Sequence, residues 1–125
     1  MRGLILGVAA LAMAVPIVAH SQGTNAAPAY KRKVSPSGYP PSWFTDKDYP
    51  REARERREQG SVAFLMTVDK KGKPAACTVT SSSGSASLDA KTCELAMKRA
   101  RFYPALDADG RPVESKYPMR TTWSL

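Results

Sequence analysis

Between Val113 and Leu125 the chain alternates: Val113, Ser115, Tyr117, Met119, Thr121, Trp123 and Leu125 interleave with Glu114, Lys116, Arg120, Thr122 and Ser124. A period of two held over that length predicts a β-strand with one packed and one wet face. Pro118 stands in the middle of it. Proline has no N–H to give to a ladder and is tolerated only at a sheet edge or a bulge. The last strand is therefore expected at the rim of its sheet. The rest of the chain must provide one pairing neighbour and a layer to cover its apolar side.

Both are visible upstream. In Ser61–Asp69, Val62, Phe64, Met66 and Val68 fall on one face, and Ala63, Leu65 and Thr67 on the other. Lys70-Lys71-Gly72-Lys73 reads as a hairpin loop in which Gly72 supplies a positive φ. Pro74–Ser82 is the return strand, with Cys77 and Val79 inward and Thr78 and Thr80 outward. Ser83-Gly84-Ser85 breaks it. A helix is predicted from Leu88 to Arg101, capped by Ser87 or Asp89 and stopped by Pro104. Its apolar arc comprises Leu88, Thr92, Cys93, Leu95, Ala96, Met97 and Ala100. A shorter, highly charged helix is predicted over Arg51–Glu58, opened by Asp48-Tyr49-Pro50 and closed by a left-handed Gly60. Asp107-Ala108-Asp109-Gly110 is a turn. The order helix, strand, strand, helix, strand is an α+β pattern. Its simplest solution is a three-stranded antiparallel sheet, order two-one-three, with two helices on one face.

The N-terminal part has another character. Met1–Ala19 holds Arg2 and then an apolar run that ends Ala19-His20-Ser21, a small-x-small pattern. Residues 1–21 read as a signal peptide, with a retained anchor as the alternative; in either case the rest of the chain is exported. Residues 22–45, with Pro28, Pro36, Pro40, Pro41, Gly23, Gly38 and the cluster Lys31-Arg32-Lys33, read as a disordered or extended linker, with Trp43 and Phe44 docking on the margin of a domain at 46–125. Export makes a disulfide the first reading of the lone pair Cys77 and Cys93. It would close a loop of about 15 residues and add about 3 kcal/mol; two buried free thiols are the alternative. The net charge of +8, with basic clusters at Lys31–Lys33 and Arg51–Arg57, points in an exported protein to an anionic membrane surface or an acidic peptide, and away from nucleic acid. A solvated surface explains the clusters equally. The sole histidine, His20, lies at the expected cut. Ser81-Ser82-Ser83 has no base beside it, and Asp107 and Asp109 make no complete calcium loop. No enzyme, metal or cofactor is expected.

Tyr49-Pro50, Ala53, Gly60, the alternation Val62–Val68, Gly72, Ser82-Ser83-Gly84, Leu88-Asp89, Ala96, Arg99 and Arg101 with Phe102, Pro104, Gly110 and Pro112-Val113 occur in that order. The set resembles the TonB C-terminal domain family across Tyr49–Leu125. The resemblance implies two helices on a three-stranded sheet. It also implies a binding function: the last strand pairs with a short extended segment, the TonB box, of an outer-membrane transporter, by β-augmentation. The residues so implicated are Val113, Ser115, Lys116, Tyr117, Met119, Arg120, Thr121 and Trp123. The chain departs from a full energy transducer of that family. Its hydrophobic segment looks cleavable, its linker is short, and Thr45-Asp46-Lys47-Asp48 replaces the glutamine-proline element before the Tyr-Pro pair. Three functions are expected in consequence: a periplasmic peptide-binding module for a transporter, a free-standing envelope adaptor that pairs with itself or another protein, and a short membrane-anchored transducer.

Overall fold

The computed structural model describes Gly3 and residues 29–125. The expected signal peptide or anchor, and the start of the expected linker, lie outside the described residues. Strands β1 (Tyr30–Arg32) and β2 (Ser35–Pro36) precede 3-10 turns at Pro40–Trp43 and Asp46–Asp48 and helix α1 (Arg51–Glu55). The hairpin β3 (Gly60–Val68) and β4 (Pro74–Ser81) leads to helix α2 (Ala86–Arg99). Short strands β5 (Phe102–Tyr103), β6 (Ala105–Asp107) and β7 (Pro112–Val113) come before the long β8 (Ser115–Trp123).

The main sheet is antiparallel, with order β4-β3-β8. Val62, Phe64, Met66 and Val68 are buried on its inner face. Helix α2 packs on β4 and β3 and contributes Leu88, Thr92, Leu95 and Ala96 to the core. The disulfide Cys77–Cys93 joins β4 to α2, with Cα atoms 5.6 Å apart. Two small sheets, β1-β6-β7 and β2-β5, stand outside the three expected strands.

Local details differ from the sequence expectations for identifiable reasons. Helix α2 starts two residues early, because Ser85 caps it by accepting from the Leu88 N–H at 3.2 Å. It ends at Arg99 and not at Arg101 or Pro104. The chain turns extended there so that Phe102 can be buried and its N–H can donate to the Gly72 carbonyl at 2.9 Å. Met97 leaves the apolar arc and is 38% exposed. Helix α1 is shorter than expected, and its left-handed residue is Arg57 (φ 54°), not Gly60. The Glu58 N–H reaches back to the Ala53 carbonyl and the Arg57 N–H to the Arg54 carbonyl, a Schellman closure made without glycine. Gly60 instead opens β3 where a Cβ would stand 2.5 Å from the Ser83 carbonyl oxygen. Gly72 does carry positive φ, at +83°.

The largest difference concerns the expected linker. From Tyr30 onward it is paired and packed. Tyr30 faces Asp107 and Arg32 faces Leu106; Ser35 faces Tyr103 and Pro36 faces Phe102. The Ser37 N–H donates to the Arg101 carbonyl at 2.8 Å, and the Arg32 guanidinium donates to the Pro104 carbonyl at 2.8 Å. Trp43 is buried in the main core at 6% exposure. Residues 30–44 form an arm that packs Val34, Trp43 and Phe44 onto the core.

Candidate functional site

Strand β8 pairs with β3 in unbroken register, from Gly60↔Trp123 to Val68↔Ser115. Among the described residues no strand lies on its other side. With no bulge to absorb Pro118, its nitrogen must point away from β3, toward the open rim. Main-chain direction alternates along a strand, so the N–H and C=O groups of Lys116, Arg120 and Thr122 face the rim as well. Their side chains, with that of Pro118, lie on the exposed face of the sheet. Ser115, Tyr117, Met119, Thr121 and Trp123 point inward.

That inward row is covered by the arm and the segment after α2, through aromatic contacts. Trp43 meets Phe102 edge-on at 5.7 Å between ring centroids, and Phe102 meets Tyr117 at 5.4 Å. Phe44 stands 6.3 Å from Trp123 and 6.1 Å from Phe64. Tyr49 meets Trp123 at 5.5 Å. The Trp123 indole N–H donates to Thr92 Oγ1 at 2.9 Å, so the end of β8 is tied to α2 and its buried donor is satisfied.

Two grooves open along the rim. One, of about 340 Å³, lies between Met119–Ser124 and the arm residues Pro40, Pro41 and Phe44, with Thr45, Asp46 and Tyr49 behind. The other, of about 350 Å³, lies between Ser115–Pro118 and Tyr30, Lys33, Val34 and Ala105. In the second groove Ser115 is 9% exposed and its Oγ has no hydrogen-bond partner among the described residues. A buried hydroxyl without a partner costs about 1–3 kcal/mol.

Arg99 clamps the end of the arm to the turn that follows it. Arg99 donates to Asp48 at 2.6 and 2.8 Å and to the Trp43 carbonyl at 3.0 Å. Thr45 donates its N–H and hydroxyl to the same carboxylate at 2.9 and 2.7 Å. The Arg99 guanidinium, then the Thr45 donors, hold the Asp48 carboxyl far below the ordinary carboxylate range against its partial desolvation. A depressed carboxylate contributes stability that is complete above its unfolded pKa of about 4 and is lost as pH falls below that. Asp48→Asn is accordingly expected to be less stable than the parent at pH 7, with the gap closing toward pH 2. Urea midpoints at several pH values check this; a gap independent of pH would rule the clamp out as its source.

The residues expected at the binding strand divide. Ser115, Lys116, Tyr117, Met119, Arg120, Thr121 and Trp123 are on β8. Val113 is not: it pairs with Ala105 in β7, because the Asp107 carboxylate caps a tight turn by accepting from the Asp109 and Arg111 N–H groups and commits Pro112–Val113 to β6. Tyr49 is buried and donates its hydroxyl to the Glu58 carbonyl. Pro50 immediately precedes α1, and Leu88 is fully buried. The Asp89 carboxylate, despite desolvation, is held low by Ser82 and Ser83, and so the serine run is engaged as a turn. Gly84 and Gly110 have positive φ. Sequence reasoning missed the arm residues lining the grooves, among them Tyr30, Lys33, Val34, Pro40 and Pro41; the aromatic pair Trp43-Phe44 was the one signal pointing to them.

No curated protein matches the chain. Residues 45–125 match the family model described as Gram-negative bacterial TonB protein C-terminal. The match begins where the arm ends.

Proposed function

The chain belongs to the family of Gram-negative bacterial TonB protein C-terminal domains, a family of cell-envelope domains associated with TonB-dependent transport, and from that premise we propose that it is an exported, periplasmic binding module. Its rim strand β8 adds a short extended segment of an outer-membrane transporter as a fourth strand. The observation that carries this reading is the outer edge of β8: among the described residues no strand pairs with it on the side to which the main-chain groups of Lys116, Arg120 and Thr122 point, while β3 holds the other side without a bulge. Main-chain hydrogen bonds supply affinity in such an addition, and side-chain pockets supply choice. Pro118 withholds one donor, which weakens indiscriminate pairing along the rim.

Arg120→Pro removes a donor from the free rim and leaves the ladder to β3 untouched. It is expected to weaken binding of a transporter N-terminal peptide by about tenfold or more, with little change in thermal stability. Chemical-shift titration of both proteins reads this. A parent protein whose β8 resonances stay still with every such peptide is not a strand-adding module.

A second reading, an envelope adaptor without energy transduction, is favoured by the reach of the chain. The first described pairing is at Tyr30, and residues 20–29, which separate it in sequence from the N-terminal apolar segment, can span at most roughly 35 Å. A tether of that length favours a domain acting close to one membrane, or free after cleavage. The mass of the mature N-terminus separates the two: a chain starting near Gln22 has no anchor through which a motor could act.

A further inference from the structure

We propose that the end of the domain at the β3–β4 hairpin is a docking surface for an anionic phospholipid bilayer. Three segments distant in sequence build it. The hairpin loop carries Lys70, Lys71 and Lys73, all exposed. It is fixed to β5: the Phe102 N–H donates to the Gly72 carbonyl at 2.9 Å, and the approach is so close that a Cβ on Gly72 would clash with the Phe102 carbonyl. Phe102 is buried, so its neighbours Arg101 and Tyr103 turn outward beside the loop, and both are exposed. Arg32 of the arm completes the row. Its guanidinium donates to the Pro104 carbonyl at 2.8 Å and lies 5.9 Å from the centre of the Tyr103 ring.

Among the described residues none of these five cations forms an ion pair; the pairs that do form lie on α1, on α2 and at Asp48. The reason is local. Asp69, inside the loop, spends its carboxylate on the Lys71 and Lys73 N–H groups. Asp107, across from Tyr30, spends its own on the Asp109 and Arg111 N–H groups. The charged run on α1 differs, since Arg51 pairs with Glu55 and Arg56 lies 3.9 Å from Glu58. Each unneutralised cation near an anionic membrane strengthens binding about fivefold. Tyr103, 53% exposed among them, has the apolar ring and polar tip that settle at headgroup level. These residues line neither groove beside β8. They spread charge over a breadth, which suits a plane of headgroups better than a single ligand. The sequence leads from the apolar run to this surface: residues 20–29 alone separate Ala19 from Tyr30, two places before Arg32. A domain docked in this way stands on the end of its sheet. Ser115, the start of β8, lies at the hairpin end, opposite Val68, so the rim of β8 runs up from the membrane and stays open.

The test labels the exported protein, with the N-terminus it carries in the envelope, using an amine-acetylating reagent, and mass spectrometry reads the rate at each lysine. Labelling is done at low salt with vesicles of phosphatidylcholine alone, with vesicles that also contain phosphatidylglycerol, and with poly-glutamate at matched charge. A retained apolar segment would insert into both kinds of vesicle, so the comparison between them still reports the surface. Phosphatidylglycerol is expected to slow labelling of Lys70, Lys71 and Lys73 about fivefold or more. Lys47, between Asp46 and Asp48, and Lys91, 3.1 Å from Glu94, are expected to change little. Arg101→Gln is expected to raise the lipid concentration for half-protection of the three lysines about fivefold, and Arg57→Gln, just before β3 opens, to leave it unchanged. Equal rates with the two kinds of vesicle overturn the proposal. So does equal slowing at Lys47 and Lys91, or an equal loss in Arg57→Gln, either of which means that net charge alone acts. Poly-glutamate protecting as well as the anionic vesicles assigns the surface to a soluble acidic partner and overturns the bilayer. None of these outcomes bears on strand addition at β8, which the transporter-peptide titration reads separately.

Discussion

Trp43→Ala is expected to cost about 3–5 kcal/mol, the range for truncating a buried aromatic side chain. The residue lies before the family region, in a stretch whose composition reads as linker, yet it is 6% exposed and packs edge-on against Phe102. Its removal leaves a cavity between the arm, α2 and Phe102, and loosens Phe102 against Tyr117 on β8. The Arg99 clamp does not compensate, because it holds the Trp43 carbonyl and not the indole. A domain of this size has a total stability of about 5–15 kcal/mol, so the midpoint of thermal unfolding is expected to fall by roughly 20 °C. Circular dichroism melts measure it. A chain beginning at Thr45 loses the same contacts and is expected to do no better. A loss below about 1 kcal/mol in Trp43→Ala would mean that the arm is an ornament on a core complete without it.

Opening the Cys77–Cys93 bond is expected to cost about 3 kcal/mol. The two residues are 16 apart in sequence, and a cross-link over a loop of that size removes about that much chain entropy from the unfolded state. The bond joins the outer strand β4 to α2. Helix α2 is the main cover of β3 and β4, and it also anchors the end of β8 through Thr92 and Trp123. The double variant Cys77→Ala, Cys93→Ala and the reduced parent are therefore expected to unfold at similarly lowered urea concentrations, both with a somewhat steeper slope than the oxidised parent, because the unlinked unfolded chain exposes more surface. Unfolding free energies within about 0.5 kcal/mol of the oxidised parent would show that packing of α2 alone suffices. The same figure explains why a domain with so small a core profits from an oxidising compartment.

Where one residue's neighbours in sequence decide its environment, the sequence was readable. The alternation of Val62–Val68 and Ser115–Trp123 marked the inner faces of β3 and β8, since side chains on a strand alternate whatever surrounds it. Pro118 marked the rim, because a missing N–H is a local fact. Gly72 marked the hairpin, where the structure adds the Asp69 carboxylate accepting from the Lys71 and Lys73 N–H groups. The pairing of Cys77 with Cys93 followed from their faces on a strand and a helix.

The long-range contacts were decided by the tertiary structure alone. The arm reads as a linker because β1 and β2 are too short to show a period and are rich in proline and charge. They are held by partners more than sixty positions away, at Asp107, Leu106, Tyr103 and Phe102. Val113 keeps the alternation of β8, but its hairpin with Ala105 takes it into another sheet. The hydroxyl of Ser115 looks in sequence like any small inward residue; its burial without a partner among the described residues, in a groove shared with Tyr30 and Val34, appears only once the arm is laid beside β8. Periodicity is a property of the backbone and survives in one dimension, whereas a groove is made by two segments distant in sequence. The sequence alone therefore identified the rim strand, and folding alone decided which residues wall it.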